Sequence, residues 1–106
     1  RGPTMPQSPW QQRVFEDVLK ERLYQERKWG QDVDDTLNTP WMWCAYLCSY
    51  ATKWMQNPHR WTRGDTEEFY DRMIQTSAIA AAAAESVLRQ RATHGKTFYE
   101  SDASPQ

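Results

Sequence analysis

The stretch PWQQRVFEDVLKERLYQERKWG, residues 9–30, decides the fold class. Ser8 precedes it as a side-chain cap, and Pro9 has the fixed φ that suits a first helical position. It closes on Gly30, the residue type that ends helices in a left-handed conformation. At about 100° per residue, Trp10, Val14, Phe15, Val18 and Trp29 fall on one side. Arg13, Glu16, Asp17, Lys20 and Arg27 take the solvent side. A capped start, a helical period and a glycine stop predict one helix from Pro9 to about Trp29.

The same signals recur twice. Residues 31–39, QDVDDTLNT, read as a loop, and Asn38 or Thr39 caps a second helix with Pro40 in its first turn. That helix, 40–56, has Trp43, Leu47, Tyr50 and Trp54 as its main stripe and is apolar on most other sides, which predicts burial between neighbours. Asn57 and Pro58 break the chain, and NPHRWTRG is a loop in which Trp61 is expected to be exposed. Asp65 with Glu68 makes a variant capping box for a third helix that stops at Gly95. Its expected stripe is Phe69, Met73, Ser77, Ala80, Ala84, Val87 and Leu88, and the run AIAAAAA predicts close approach of another helix. No strand-like alternation or repeat occurs. The fold class is all-α, a three-helix bundle-like domain over 9–95, completed by oligomerisation. A polar arm (1–8) and a polar tail (96–106) are expected to be flexible.

Composition narrows the function classes. A chain of 106 residues forms one small domain with a modest core, so six Trp, five Tyr and three Phe carry most of its apolar bulk. A net charge of −1 argues against general nucleic-acid binding. No apolar run reaches membrane-spanning length, and RGPTMPQSPW has no apolar signal region. Cys44 and Cys48 lie four apart on a helix, a spacing ill suited to a disulfide, which predicts reduced thiols and a cytoplasmic setting.

The anomaly is in the first helix. Arg22 and Gln25 lie inside the apolar stripe, between Val18 and Trp29. A charged group on a core-facing side is costly unless it is paired or faces a polar cavity. Two readings stay open. One is an internal ion pair of Arg22 with Asp34 or Asp35. The other is a ligand site at the helix end. In the second, Arg22 and Lys28 offer charge to phosphate or carboxylate, and Gln25 and Asn38 read a base or ribose edge. Trp29 stacks, and Asp34 and Asp35 orient Arg22 or accept from ribose hydroxyls. Arg72 and Gln75 lie off the third helix's stripe and complete the site from a neighbouring subunit. Asp32, Asp34 and Asp35 are hard-cation ligands by type, but Asp is equally a turn and cap residue, so no metal or cofactor is expected. His59 and His94 stand in no nucleophile or zinc motif.

The pattern E-R-x-x-Q-x-x-K-W-G, Glu21 to Gly30, followed by D-D-x-x-N at Asp34, Asp35 and Asn38, resembles a family of small phage and prophage proteins. The spacing of Trp43 and Leu47 and the helix RMIQTSAIAAAAAESVLRQ fit it too, so the resemblance covers about residues 14–91. More distantly the chain is similar to MazG-like all-α nucleotide pyrophosphohydrolases. Those enzymes hold Mg²⁺ with an E-E-x-x-E helix and a later E-x-x-D. Here residues 41–56 contain no acidic residue, the later acid position looks like Gln75, and two expected histidines appear as Val33 and Leu37. The resemblance therefore implies a non-catalytic member that keeps the pocket. Such a member is expected to bind a small nucleotide-like anion, by analogy with phage anti-defence sponges, in the cytoplasm of a bacterial host. A divergent pyrophosphohydrolase and a module that inhibits a host enzyme through helix two remain the alternatives.

Overall fold

Ser8 starts the first helix with a reciprocal cap. Its hydroxyl accepts the Gln11 N–H at 3.2 Å, and its own N–H donates to the Gln11 side chain at 3.1 Å. The computed structural model describes residues 8–56 and 63–100, with only the backbone of Arg63; the arm before Ser8, the loop residues 57–62 with Trp61, and the tail from 101 lie outside the described residues. Helix α1 runs Pro9–Trp29. Its end differs from the expected left-handed cap. Gly30 has φ 83° and ψ 153°, an extended region open essentially only to glycine. This turn lets a new helix begin at once: α2, Gln31–Thr36, occupies the segment expected to be a loop.

Thr39, not Asn38, caps the next helix, accepting the Met42 N–H at 3.4 Å, which leaves the Asn38 side chain free for other bonds. Helix α3 runs Pro40–Thr52, and its last expected turn tightens into a 3₁₀ helix, Lys53–Gln56. There the Trp54 indole N–H donates to the Asp65 carbonyl at 2.7 Å, tying the end of this segment to the start of α4. Helix α4 spans Arg63–His94, so Asp65 lies in its first turn instead of preceding it.

The four α-helices make an all-α fold, and no strand occurs among the described residues. Helix α4 is the spine. Helices α1 and α3 pack on it from two sides, α2 packs near its C-terminal half, and α1 and α3 do not pack on each other. The central apolar cluster is Trp43, Ile79 and Ala82, with Leu47, Tyr50 and Ala83 against it. Ala78 is fully buried, so the alanine run does permit close helix approach, but through Ala78 and Ala82. The expected stripe on this helix is out of phase. Ser77, Ala80, Ala84 and Leu88 are exposed, because Ile74 and Ile79, the bulky residues, set the buried side. On α1, Val14 and Val18 are half-buried, whereas Trp10 and Phe15, expected inside, are exposed.

The segment after Gly95, expected as part of a flexible tail, folds back as far as Glu100. The Phe98 N–H donates to the Gln90 side chain at 2.8 Å, and the buried Thr97 donates its N–H and hydroxyl to Glu100 at 2.7 and 2.6 Å. No helix among the described residues is long and apolar enough to cross a membrane.

The Gly30 turn yields a clean test. A Cβ there would meet nothing within 4 Å, so Gly30→Ala costs only backbone strain. We expect a loss of about 1–3 kcal/mol, read as a lower urea midpoint with an unchanged slope.

Candidate ligand cavity

Gly30 and the short α2 bend the chain so that the end of α1 faces the start of α3 across α4. Between them lies a cavity of about 310 Å³. Arg22, Gln25 and Trp29 line it from α1, Val33 and Asp34 from α2, and Asn38 from the α2–α3 link. Trp43, Tyr46 and Tyr50 of α3 form the facing wall, and Ile79 and Ala82 of α4 the floor.

The charge inside the α1 stripe is explained by α4. Arg22 Nε donates to Glu85 Oε2 at 3.0 Å and Nη2 to Glu85 Oε1 at 2.6 Å, a forked pair, while Nη2 also reaches Glu26 at 3.2 Å. The expected pairing of Arg22 with Asp34 or Asp35 is thus replaced by Glu85 and Glu26. The bond to Arg22 holds the Glu85 carboxyl below its ordinary range. Nη1 of Arg22 has no partner among the described residues.

Gln25 is buried and donates its amide N–H groups to Glu21 at 3.0 Å and to the Gln75 carbonyl at 3.3 Å, leaving its own carbonyl oxygen as an acceptor. Asn38, also buried, donates to Asp34 Oδ1 at 3.3 Å and accepts from the Tyr46 hydroxyl at 3.5 Å. Burial pushes the Asp34 carboxyl above its ordinary range, against the pull of Arg89 and Arg22. The next residue behaves oppositely. Asp35 takes a forked pair from Arg89 at 2.9 and 2.7 Å and the Ser86 hydroxyl at 2.6 Å, and Arg89 holds its carboxyl low. Asp32 is exposed, so the three aspartates point to three different surroundings.

Of the nine residues singled out from the sequence, Arg22, Gln25, Trp29, Asp34 and Asn38 line one cavity. Lys28 is exposed beside it, its ammonium 5.0 Å from the Trp29 ring centroid. Asp35 staples α2 to α4. Arg72 and Gln75 do not line the cavity: Gln75 meets Gln25 through its backbone carbonyl at 3.3 Å, while Arg72 donates to the Gln75 side chain at 2.9 Å and pairs with Glu68 at 3.7 Å. Sequence reasoning missed Glu85, although it is the only charged residue between Arg72 and Arg89. It also missed Tyr46 and read Trp43 and Tyr50 as core alone.

Chemically this is a small aromatic slot with a polar rim. Tryptophan and tyrosine faces suit a planar ring, and the free oxygens of Gln25 and Asp34 suit N–H donors on its edge. No protein-family model matches the chain, and neither a curated protein nor a solved structure gives a match.

The two adjacent aspartates should respond in opposite senses. Asp34, raised in the fold, favours the folded state while protonated, and that contribution is lost as pH rises through its folded pKa. Asp35, lowered, contributes above its ordinary pKa and loses that contribution as acid protonates it. In thermal melts at neutral pH we expect Asp34→Asn to raise the midpoint and Asp35→Asn to lower it. Both differences should shrink at about pH 3. Shifts of the same sign at neutral pH would refute the assignment.

Proposed function

We propose that the chain is a phage-type, non-catalytic binding protein that holds a small nucleotide-like ligand and sequesters it in the host cytoplasm, acting as a homo-oligomer. The observation that carries this reading is the cavity itself. Its volume of about 310 Å³ is at the small end of ligand pockets, roughly 300–1,000 Å³. A base or nucleoside fits that scale. The aromatic walls would stack the ring, and Gln25, Asn38 and Asp34 would meet its polar edge.

The phosphate belongs outside. Arg22 is neutralised by Glu85 and Glu26, and Asp34 stands on the same wall, so the interior offers little net positive charge. Lys28 rests on the outer side of Trp29 with no carboxylate partner among the described residues. It is the cation a phosphate would use, with Arg22 Nη1 as a second donor. A sponge for a host signalling nucleotide is one protein that needs such a site and no chemistry at it. The absence of any acidic residue in α3 favours binding over pyrophosphate release, because the MazG-like enzymes that the chain resembles hold their Mg²⁺ with carboxylates on the corresponding helix.

A second reading has its own observation. Trp41 on the outer side of α3 is 86% exposed, a large aromatic with no cover, as an interface with a host protein would use. Native mass spectrometry of protein purified from bacterial cells, repeated after denaturation, separates the two. A released nucleotide-sized mass supports the first reading, and a co-purified polypeptide with no small ligand supports the second.

Titration with nucleoside monophosphates should quench tryptophan emission, since Trp29 and Trp43 wall the cavity. Gln25→Met, which keeps the unbranched length and removes the amide, should weaken binding tenfold or more, about 1.4 kcal/mol at least, with helicity retained. Saturable quenching unaffected by Gln25→Met would place the ligand elsewhere. Pyrophosphate released from any nucleoside triphosphate with Mg²⁺ would overturn the non-catalytic part.

A further inference from the structure

The cavity has a floor and two walls but no roof. Its walls come from α1 and α3, with α2 closing one end; α1 and α3 do not pack on each other, so no described residue covers the side opposite α4. Large apolar side chains continue both walls outward. On α1, Phe15, Leu19 and Leu23 are 58%, 60% and 47% exposed and follow Arg22 and Trp29 around the helix, on the side turned away from α4. On α3, Met42 and Tyr46 are also exposed. The buried apolar residues among those described are only Trp43, Ile74, Ile79 and two alanines, a small core for a chain of this length.

We infer that a second copy of this chain fills the trough between α1 and α3, its α1 lying antiparallel on this α1 about a two-fold axis at Leu19, so that the dimer roofs the ligand cavity. Two features choose this occupant. The stripe Phe15, Leu19, Leu23 has a spacing of four on each side of its centre. Antiparallel pairing about Leu19 therefore sets Phe15 against the partner's Leu23 and Leu23 against the partner's Phe15, the self-match that an isologous contact requires. The area also suffices. Taking roughly 150–250 Å² for each large side chain, the three α1 residues with Trp29, Met42 and Tyr46 leave on the order of 550 Å² bare per copy. Two copies that cover all of it bury about 1,100 Å² before any rim is counted, which clears the roughly 1,000 Å² that a specific interface needs. The bare side of α4, with Ser77, Ala80 and Ala84, offers mostly small side chains and far less area.

The dimer stands apart from the ligand reading; only its role as the cavity's roof rests on that reading. The test uses the full chain with Cys44→Ser and Cys48→Ser, both natural cysteines being exposed. In this background Leu19→Cys places identical thiols on the proposed axis, and Ser77→Cys serves as the control on α4. Under mild oxidation Leu19→Cys should give mostly a covalent species of twice the 12.5 kDa chain mass, at least tenfold faster than Ser77→Cys. Native mass spectrometry should show the wild-type dimer, and Leu19→Glu should reduce it to a single chain with helicity unchanged. A single-chain wild type, equal crosslinking at the two positions, or a Leu19→Glu protein that stays dimeric would overturn the proposal. A crosslinked dimer that quenches with no nucleotide would support the dimer and sink the ligand reading.

Discussion

The fork between Arg22 and Glu85 is the constraint on which the site depends. It joins the C-terminal half of α1 to the C-terminal half of α4 with two bonds, at 3.0 and 2.6 Å. A guanidinium that meets a carboxylate bidentately fixes both distance and orientation. It ties α1 to the spine beside the cavity and sets which side of α1 turns toward it. The cavity lies alongside, with Arg22 in its wall. Removing either partner leaves a charge facing a half-buried surface, and that costs more than the pair itself contributes. The interaction therefore sets geometry more than it adds stability.

The same logic runs through the interior. Arg22, Gln25, Asn38, Asp65, Ser86, Gln90 and Thr97 are all buried polar residues. Among the described residues, the one buried side-chain N or O atom without a bond is Nε of Arg72. The polar groups act as links between elements: Gln25 to the α4 backbone, Ser86 to α2, Gln90 to the turn after Gly95. Directional bonds of this kind specify one arrangement where a small apolar core would tolerate several. They also explain why so much apolar surface remains outside. The interior of a single chain is largely committed to polar links, and the aromatic and aliphatic bulk of α1 and α3 is left exposed.

The helices and most of their ends were legible because caps and glycines act locally. Ser8, Pro40 and Gly95 could be read without any knowledge of partners. The anomaly at Arg22 and Gln25 was legible for the same reason, since the phase of α1 is set by its own period. Their partners were not. Glu85 lies 63 residues from Arg22 and is brought to it only by the parallel packing of α1 on α4. The phase of α4 was misread because alanine gives no directional signal. With alanine on nearly every side between residues 78 and 84, Ile74 and Ile79 alone decide which side turns inward. Helix α2 was missed because six residues carry too little period to distinguish a single turn-and-a-half from a loop.

That short helix connects fold and site. A period of 3.6 residues places Asp34 and Asp35 about 100° apart. One therefore enters the cavity wall while the other is held by Arg89 and Ser86 on α4. Two adjacent, chemically identical carboxylates are thus sent to opposite environments by a single helical step. The anchored one fixes the position of the other. Asp35 supplies the enthalpy of a forked pair, and Asp34, with Asn38 beside it, is held in a partly desolvated place that a free loop would not maintain. The extended conformation of Gly30 starts this helix directly from α1, with no slack between the helix that carries Arg22 and the helix that carries Asp34. Each charged group of the cavity's polar rim belongs to a helix that a different ion pair fastens to α4.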